Sequence, residues 1–133
     1  ERLLSLNQLA HTYMQSRNDT YVMELAIQYI RRNYPKPITL AMVSNEVSLN
    51  YAYFSTMFSK YTGKTFSEYL RNTRMEKAKE LLRQPDISIA EVAAQVGYEN
   101  YKSFYRAFKD AVGTTPVEYQ QKKYRIHRED EKQ

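Results

Sequence analysis

The sequence predicts an all-α chain: two helix–turn–helix units joined by one long helix, behind a helical N-terminal connector. Three observations carry this. Residues 88–119 spell out a short helix, a tight turn, a second helix, a glycine stop and the start of a third. Residues 38–69 repeat that block. Between them, Phe66 to Arg83 contains no glycine or proline and is rich in good helix formers.

The C-terminal block shows the punctuation most clearly. Ser88 followed by Glu91 is a capping box, in which a serine oxygen and a glutamate carboxylate satisfy N–H groups at the helix start. Ile89, Val92, Ala93 and Val96 recur at helical spacing as one apolar face. Gly97 breaks that helix, and Asn100 caps the next. There Phe104, Ala107, Phe108 and Ala111 face one way, while Tyr101, Lys102, Tyr105, Arg106 and Lys109 face the other. Gly113 ends it, since a left-handed position costs glycine nothing sterically. Thr115, Pro116 and Glu118 start a further helix with a second capping box.

The first block repeats this punctuation. Ile38, Leu40, Val43 and Val47 correspond to Ile87, Ile89, Val92 and Val96 at an offset of 49. Asn50, Phe54, Phe58, Gly63, Thr65, Glu68 and Tyr69 correspond to Asn100, Phe104, Phe108, Gly113, Thr115, Glu118 and Tyr119 at an offset of 50. The slip of one residue falls in the turn, where an insertion is cheapest. Chance does not align caps, stops and core aromatics together, so this is an internal duplication.

The remaining segments flank these blocks. Residues 1–17 read as a connector helix with a short coiled-coil seam of Leu3, Leu6, Ala10 and Tyr13, widened by Leu4, Leu9 and Met14. The connector is expected to lead from an upstream domain; a helix packed on its own domain is the plain alternative. The polar run Ser16–Thr20 separates it from a second helix, capped by Asp19 or Thr20 and running to about Asn33. The expected buried face of that helix is Val22, Leu25, Ala26, Tyr29 and Ile30. Pro35 and Pro37 stop it. The long helix spans ~18 residues, or ~27 Å, and reads as a stiff bridge with an apolar face of Phe66, Tyr69, Leu70, Thr73, Ala78, Leu81 and Leu82. The polar end, from about Gln120 to Gln133, is expected to fray. The domain reading is therefore a connector at 1–17, a first subdomain at 18–65, a linker helix at 66–83, a second subdomain at 84–122 and a tail at 123–133.

Composition bounds the chemistry. In 133 residues, 42% are hydrophobic and 14% aromatic, so a folded core is expected. A net charge of +5 favours a polyanionic partner, with a solvated basic surface as the equal alternative on charge alone. There is no cysteine, which excludes disulfides and thiolate metal sites. His11 and His127 have no ligand partners at metal-binding spacing, and no metal or cofactor is expected. Apolar runs are short, no signal-peptide pattern appears, and the expected location is the cytoplasm. The chain begins at Glu1 without methionine and is expected to be part of something longer.

These residues resemble the DNA-binding domain of the AraC-type transcription regulators over about Tyr21 to Gln121. The specific matches are Val92-Ala93, Gly97-Tyr98, Phe104-Tyr105-Arg106-Ala107-Phe108-Lys109, and Gly113-Thr114-Thr115-Pro116 with Tyr119. In the linker, Arg74-Met75-Glu76-Lys77-Ala78 and Leu81-Leu82 also match. The resemblance implies a domain of about seven helices with two recognition helices in adjacent major-groove segments. It implies sequence-specific binding of double-stranded DNA, regulation of bacterial transcription, RNA polymerase as a further partner, and an upstream sensor or receiver domain. The wording from Asn50 to Phe58 and in the linker looks most like members fused to two-component receiver domains. Departures are Ser44 for alanine, Ser48 for the turn glycine, Ser59 for lysine and Gln120 for arginine. The last two remove phosphate contacts that the resemblance would otherwise imply.

With that resemblance, positions opposite the core aromatics are expected to face DNA. With the resemblance, base reading falls on Ala52, Ser55 and Thr56 in the first recognition helix. In the second it falls on Tyr101, Lys102, Tyr105 and Arg106. Ala52 and the Thr56 methyl suit a thymine methyl group, and Arg106 suits either a guanine edge or a phosphate, with a salt bridge to Glu99 or Asp110 as its plain alternative. Phosphate candidates are Tyr53, Lys60, Lys64, Ser103, Lys109, Asn50 and Asn100, together with the helix-start amides after Thr39, Asn50, Ser88 and Asn100. For each lysine, a solvated surface charge is the plain alternative.

Two rival readings are weaker. An enzyme would need a nucleophile–base set, a glycine-rich phosphate loop or a metal cluster, and none is present. A helical protein-interaction module without DNA binding explains the helices and the thirteen tyrosines, but not two recognition helices in register.

Overall fold

The computed structural model describes the backbone of residues 6–132 and the side chains of Gln8, residues 17–123, Glu129 and Asp130. Seven helices follow in order: α1 (Leu6–Asn33), α2 (Leu40–Glu46), α3 (Tyr51–Thr62), α4 (Phe66–Leu81), α5 (Ile89–Gln95), α6 (Tyr101–Val112) and α7 (Pro116–Lys132), with no strand among the described residues.

The chain divides into two compact units. One takes the residues up to Arg32 together with Ile38–Phe66; the other takes Asn33–Pro37 together with the chain from Ser67 onward. The first unit buries Met23, Ala26, Ile30, Ile38, Val43, Phe54 and Phe58. The rings of Phe54 and Phe58 lie 5.6 Å apart, and Phe66 meets Phe58 edge-on at 6.1 Å. The second unit buries Met75 and Ala78 of α4, and Leu82 just after it, with Val92, Ala93, Val96, Phe104 and Phe108. Each buried Phe contributes about 1.5–3 kcal/mol by leaving water, which makes these four rings the main fasteners of α3 and α6.

Local chemistry fixes the helix ends. The Asn50 Oδ1 accepts from the Ala52 and Tyr53 amides at 2.9 and 3.2 Å, and the Asn100 Oδ1 from the Lys102 amide at 2.8 Å. The Ser88 hydroxyl accepts from the Glu91 amide at 3.1 Å. Thr115 and Glu118 exchange both bonds of a capping box. Gly63 and Gly113 close α3 and α6 at φ +73° and +91°. The duplication extends to turn hydrogen bonds: Leu49 donates to the Ser44 carbonyl as Tyr98 does to Ala93, each at 2.9 Å.

Four expectations are corrected. The connector and the next helix are one element, because α1 runs unbroken through Ser16–Thr20; neither Asp19 nor Thr20 caps it. The buried face of α1 is phased on Met23, Ala26 and Ile30, leaving Leu25 38% exposed. In α6, Ala111 is exposed, since the buried stripe is only as wide as Phe104 and Phe108. The polar end is helical: α7 continues to Lys132, with no glycine or proline after Pro116 to stop it. Leu3 and Leu4 lie outside the described residues, as do the side chains of Leu6, Leu9, Ala10, His11, Tyr13, Met14 and His127.

Candidate nucleic-acid interface

Burying Phe54 and Phe58 turns the opposite side of α3 to solvent. Ala52 and Thr56 are exposed there, and Ser55 is half-buried. Tyr53, 39% exposed, donates its hydroxyl to both carboxylate oxygens of Asp19, at 3.0 and 3.1 Å. Lys60 and Lys64 are exposed. This face carries little charge of its own.

The corresponding face of α6 is basic and aromatic. Burial of Phe104 and Phe108 leaves Lys102, Ser103, Arg106 and Lys109 exposed, with Tyr101 42% exposed and Tyr105 half-buried. Tyr101 and Tyr105, one turn apart, place their rings 6.2 Å from each other. These two tyrosines, Lys102, Arg106, Lys109 and Asp110 line one open groove. Among the described residues Arg106 forms no ion pair, with Glu99 and Asp110 included.

A second groove brings in a cation that the sequence reading did not single out. Arg71 of α4 lines it with Asn100, Lys102, Ser103 and Arg106. The signal was an exposed arginine in the second turn of a helix, which by itself is indistinguishable from a solvated charge. Asn50 and Asn100 commit their Oδ1 atoms to the caps, so their NH₂ groups are the atoms with phosphate-binding chemistry.

The supports differ between the units. Arg74 donates from Nε to the Tyr34 carbonyl at 2.8 Å and from Nη2 to the Lys36 carbonyl at 3.0 Å. Its guanidinium also lies 5.5 Å from the centre of the Tyr98 ring. Burial pushes the Tyr98 hydroxyl above its ordinary pKa of 10.0, opposed by the charges of Arg74 and Arg71. At Gly97 (φ +104°) a Cβ would stand 2.9 Å from the Pro35 carbonyl oxygen. Its counterpart, Ser48, holds φ +59° with a side chain in place. Ser44 is buried, and its hydroxyl donates to the Ala41 carbonyl at 2.9 Å. Gln120 donates from Nε2 to the carbonyls of Gln84 and Ile87, each at 2.9 Å, tying α7 to the loop before α5.

Among the described residues, no group of histidines and carboxylates could hold a metal ion. No helix there is long and apolar enough to cross a membrane. Two helix–turn–helix units, each turning its second helix outward over a buried aromatic pair, define a double helix-turn-helix DNA-binding domain.

Comparison with known proteins agrees. The helix-turn-helix domain family matches residues 43–122. The regulatory protein PocR of Salmonella typhimurium is 34% identical over 99 residues, covering 74% of this chain and 33% of PocR. The C-terminal domain of AraT, a response regulator from Geobacillus stearothermophilus, superposes with a TM-score of 0.72 at 34% identity, covering 76% of this chain and 84% of that one. The C-terminal domain of the two-component response regulator yesN from Fusobacterium nucleatum gives 0.69 at 37% identity, covering 73% and 95%. The chain belongs to the AraC-type helix-turn-helix family and is a sequence-specific DNA-binding domain of the kind that transcription regulators carry. It spans about a third of PocR's length.

Proposed function

We propose that this domain reads duplex DNA by placing α3 and α6 in successive major-groove segments about one turn (~34–36 Å) apart, with unequal work for the two readers. The observation that carries this reading is the groove of Tyr101, Lys102, Tyr105, Arg106 and Lys109 on α6, set against the small uncharged face of Ala52, Ser55 and Thr56 on α3. The first reader selects by shape and methyl contact. The second adds a charged contact through Arg106 and draws phosphate with Lys102 and Lys109. Lys60, Lys64, Ser103, Tyr53 and the capping asparagines supply further backbone contacts, and Arg71 joins them. In the intact regulator an upstream receiver domain controls the reader, as the response-regulator relatives suggest, and the output is contact with RNA polymerase in the bacterial cytoplasm. Catalysis has no part in this reading.

Counterion release scales with the phosphates neutralised, so charge and methyl contacts separate in a salt series. Arg106→Ala should either relax one base position by ~1–3 kcal/mol, or weaken all sequences alike and shrink the salt slope by about 1. Thr56→Ala should change preference at one position with the slope intact, because no charge is lost. Duplexes selected from a random pool, together with their single-base variants, provide the measurement. Equal slope changes in the two variants would show that the faces are assigned wrongly.

A further inference from the structure

The run Ser16-Arg17-Asn18-Asp19-Thr20 lies inside a continuous helix, although four of its five residues favour caps and turns over helix interiors. Ser, Asn, Asp and Thr side chains compete for nearby backbone groups, so this is the point where α1 breaks most easily. Asp19 is the residue best suited to cap a helix restarted here. In the structure it has a different role. Its two carboxylate oxygens take the hydroxyl of Tyr53, 34 residues away, in the first turn of α3. The two roles exclude each other. A cap oxygen must turn to amides two or three residues ahead with its own backbone extended, and in unbroken α1 those amides bond within the helix.

Tyr53 has a single O–H to donate. While Asp19 holds it, that proton is not available to a DNA phosphate, and a carboxylate sits at the tip of the side chain next to Ala52 in sequence. We propose that Asp19 is a gating residue for the first reader. With α1 continuous it withholds the Tyr53 hydroxyl from DNA. With α1 broken at residues 18–20 it becomes a helix cap and releases that hydroxyl to the backbone of the bound duplex. The state of the N-terminal half of α1 is thereby coupled to the grip of α3. This proposal rests on the assignment of α3 as a reader.

The test uses the 133-residue chain in four forms: unaltered, Asp19→Ala, Tyr53→Phe and the double variant. Binding to the selected duplex is measured across a salt series, with thermal melts to confirm folding. Asp19→Ala should bind about three- to tenfold tighter, the worth of one hydrogen bond. That gain should persist at high salt and vanish when Tyr53 is Phe. A gain that survives in the double variant, or fades with salt, reflects charge repulsion alone and overturns the proposal. So does an unchanged or weaker Asp19→Ala. Hydrogen exchange gives a second readout in the unaltered protein: the amides of Asp19 and Thr20, which a cap at Asp19 leaves without a partner, should exchange faster on DNA binding while those of α3 slow. Slower exchange throughout would count against the gate. If none of the four forms prefers the selected duplex over an unrelated one, the reading of α3 fails first, and the gate with it.

Discussion

Arg74 shows what a single side chain can organise in this fold. It sits in α4, yet its two hydrogen bonds end on carbonyls 40 and 38 residues back in the chain, and its charge lies over Tyr98 in the second turn. Gly97 completes the arrangement, since its missing Cβ is what lets the Pro35 carbonyl approach. Gly97→Ala should cost roughly 2–5 kcal/mol, combining a disfavoured φ with a backbone clash. Ser48→Gly should fall within about 1 kcal/mol of neutral, because relief of left-handed strain offsets the entropy of glycine. Urea melts of the two variants compare them directly, and equal losses would mean that the turns are equivalent. The sequence showed that the turns differ but not why. Ser48 against Gly97 is visible in an alignment of the repeats, whereas Pro35 and Arg74 reach Gly97 only through tertiary packing.

Helix boundaries were legible wherever one residue type decides them locally. Asn50, Asn100, Ser88 and Thr115 cap, and Gly63 and Gly113 stop, because each acts on amides or carbonyls within a few residues. Boundaries set by neighbours or by cooperativity were not. The polar run in α1 looks like a start signal but stays helical, with Asp19 held by Tyr53. Met75 was passed over in the apolar face of α4, although only 2% of it is exposed. Gln120 shows the same limit: as a departure from the arginine pattern it suggested a lost phosphate contact, whereas its amide clamps the loop at Gln84 and Ile87. Gln120→Ala should therefore cost about 0.5–1.5 kcal/mol, since two carbonyls, one of them part-buried, lose their donor. Thermal unfolding measures that cost. No loss of stability would indicate that water replaces the amide at no cost.

For the molecule as a whole, duplication and charge were legible from the sequence, and the grouping of its parts was not. The repeat offset and the net charge of +5 stand in the sequence. That Asn33–Pro37 belongs with the chain from Ser67 onward, while the residues on either side of it belong elsewhere, does not. Five residues of the first half supply the carbonyls that Arg74 grips and the backbone that Gly97 admits. The order of the chain thus interleaves the two units, and a cut between the copies leaves those five residues on the piece that does not hold the rest of their unit. A protease site placed after Gly63, where a side chain would meet open space, offers a way to see this. The nicked halves should elute together under native conditions and part only in denaturant. Halves that separate without denaturant would show that each copy still folds for itself, as its single ancestor must have done.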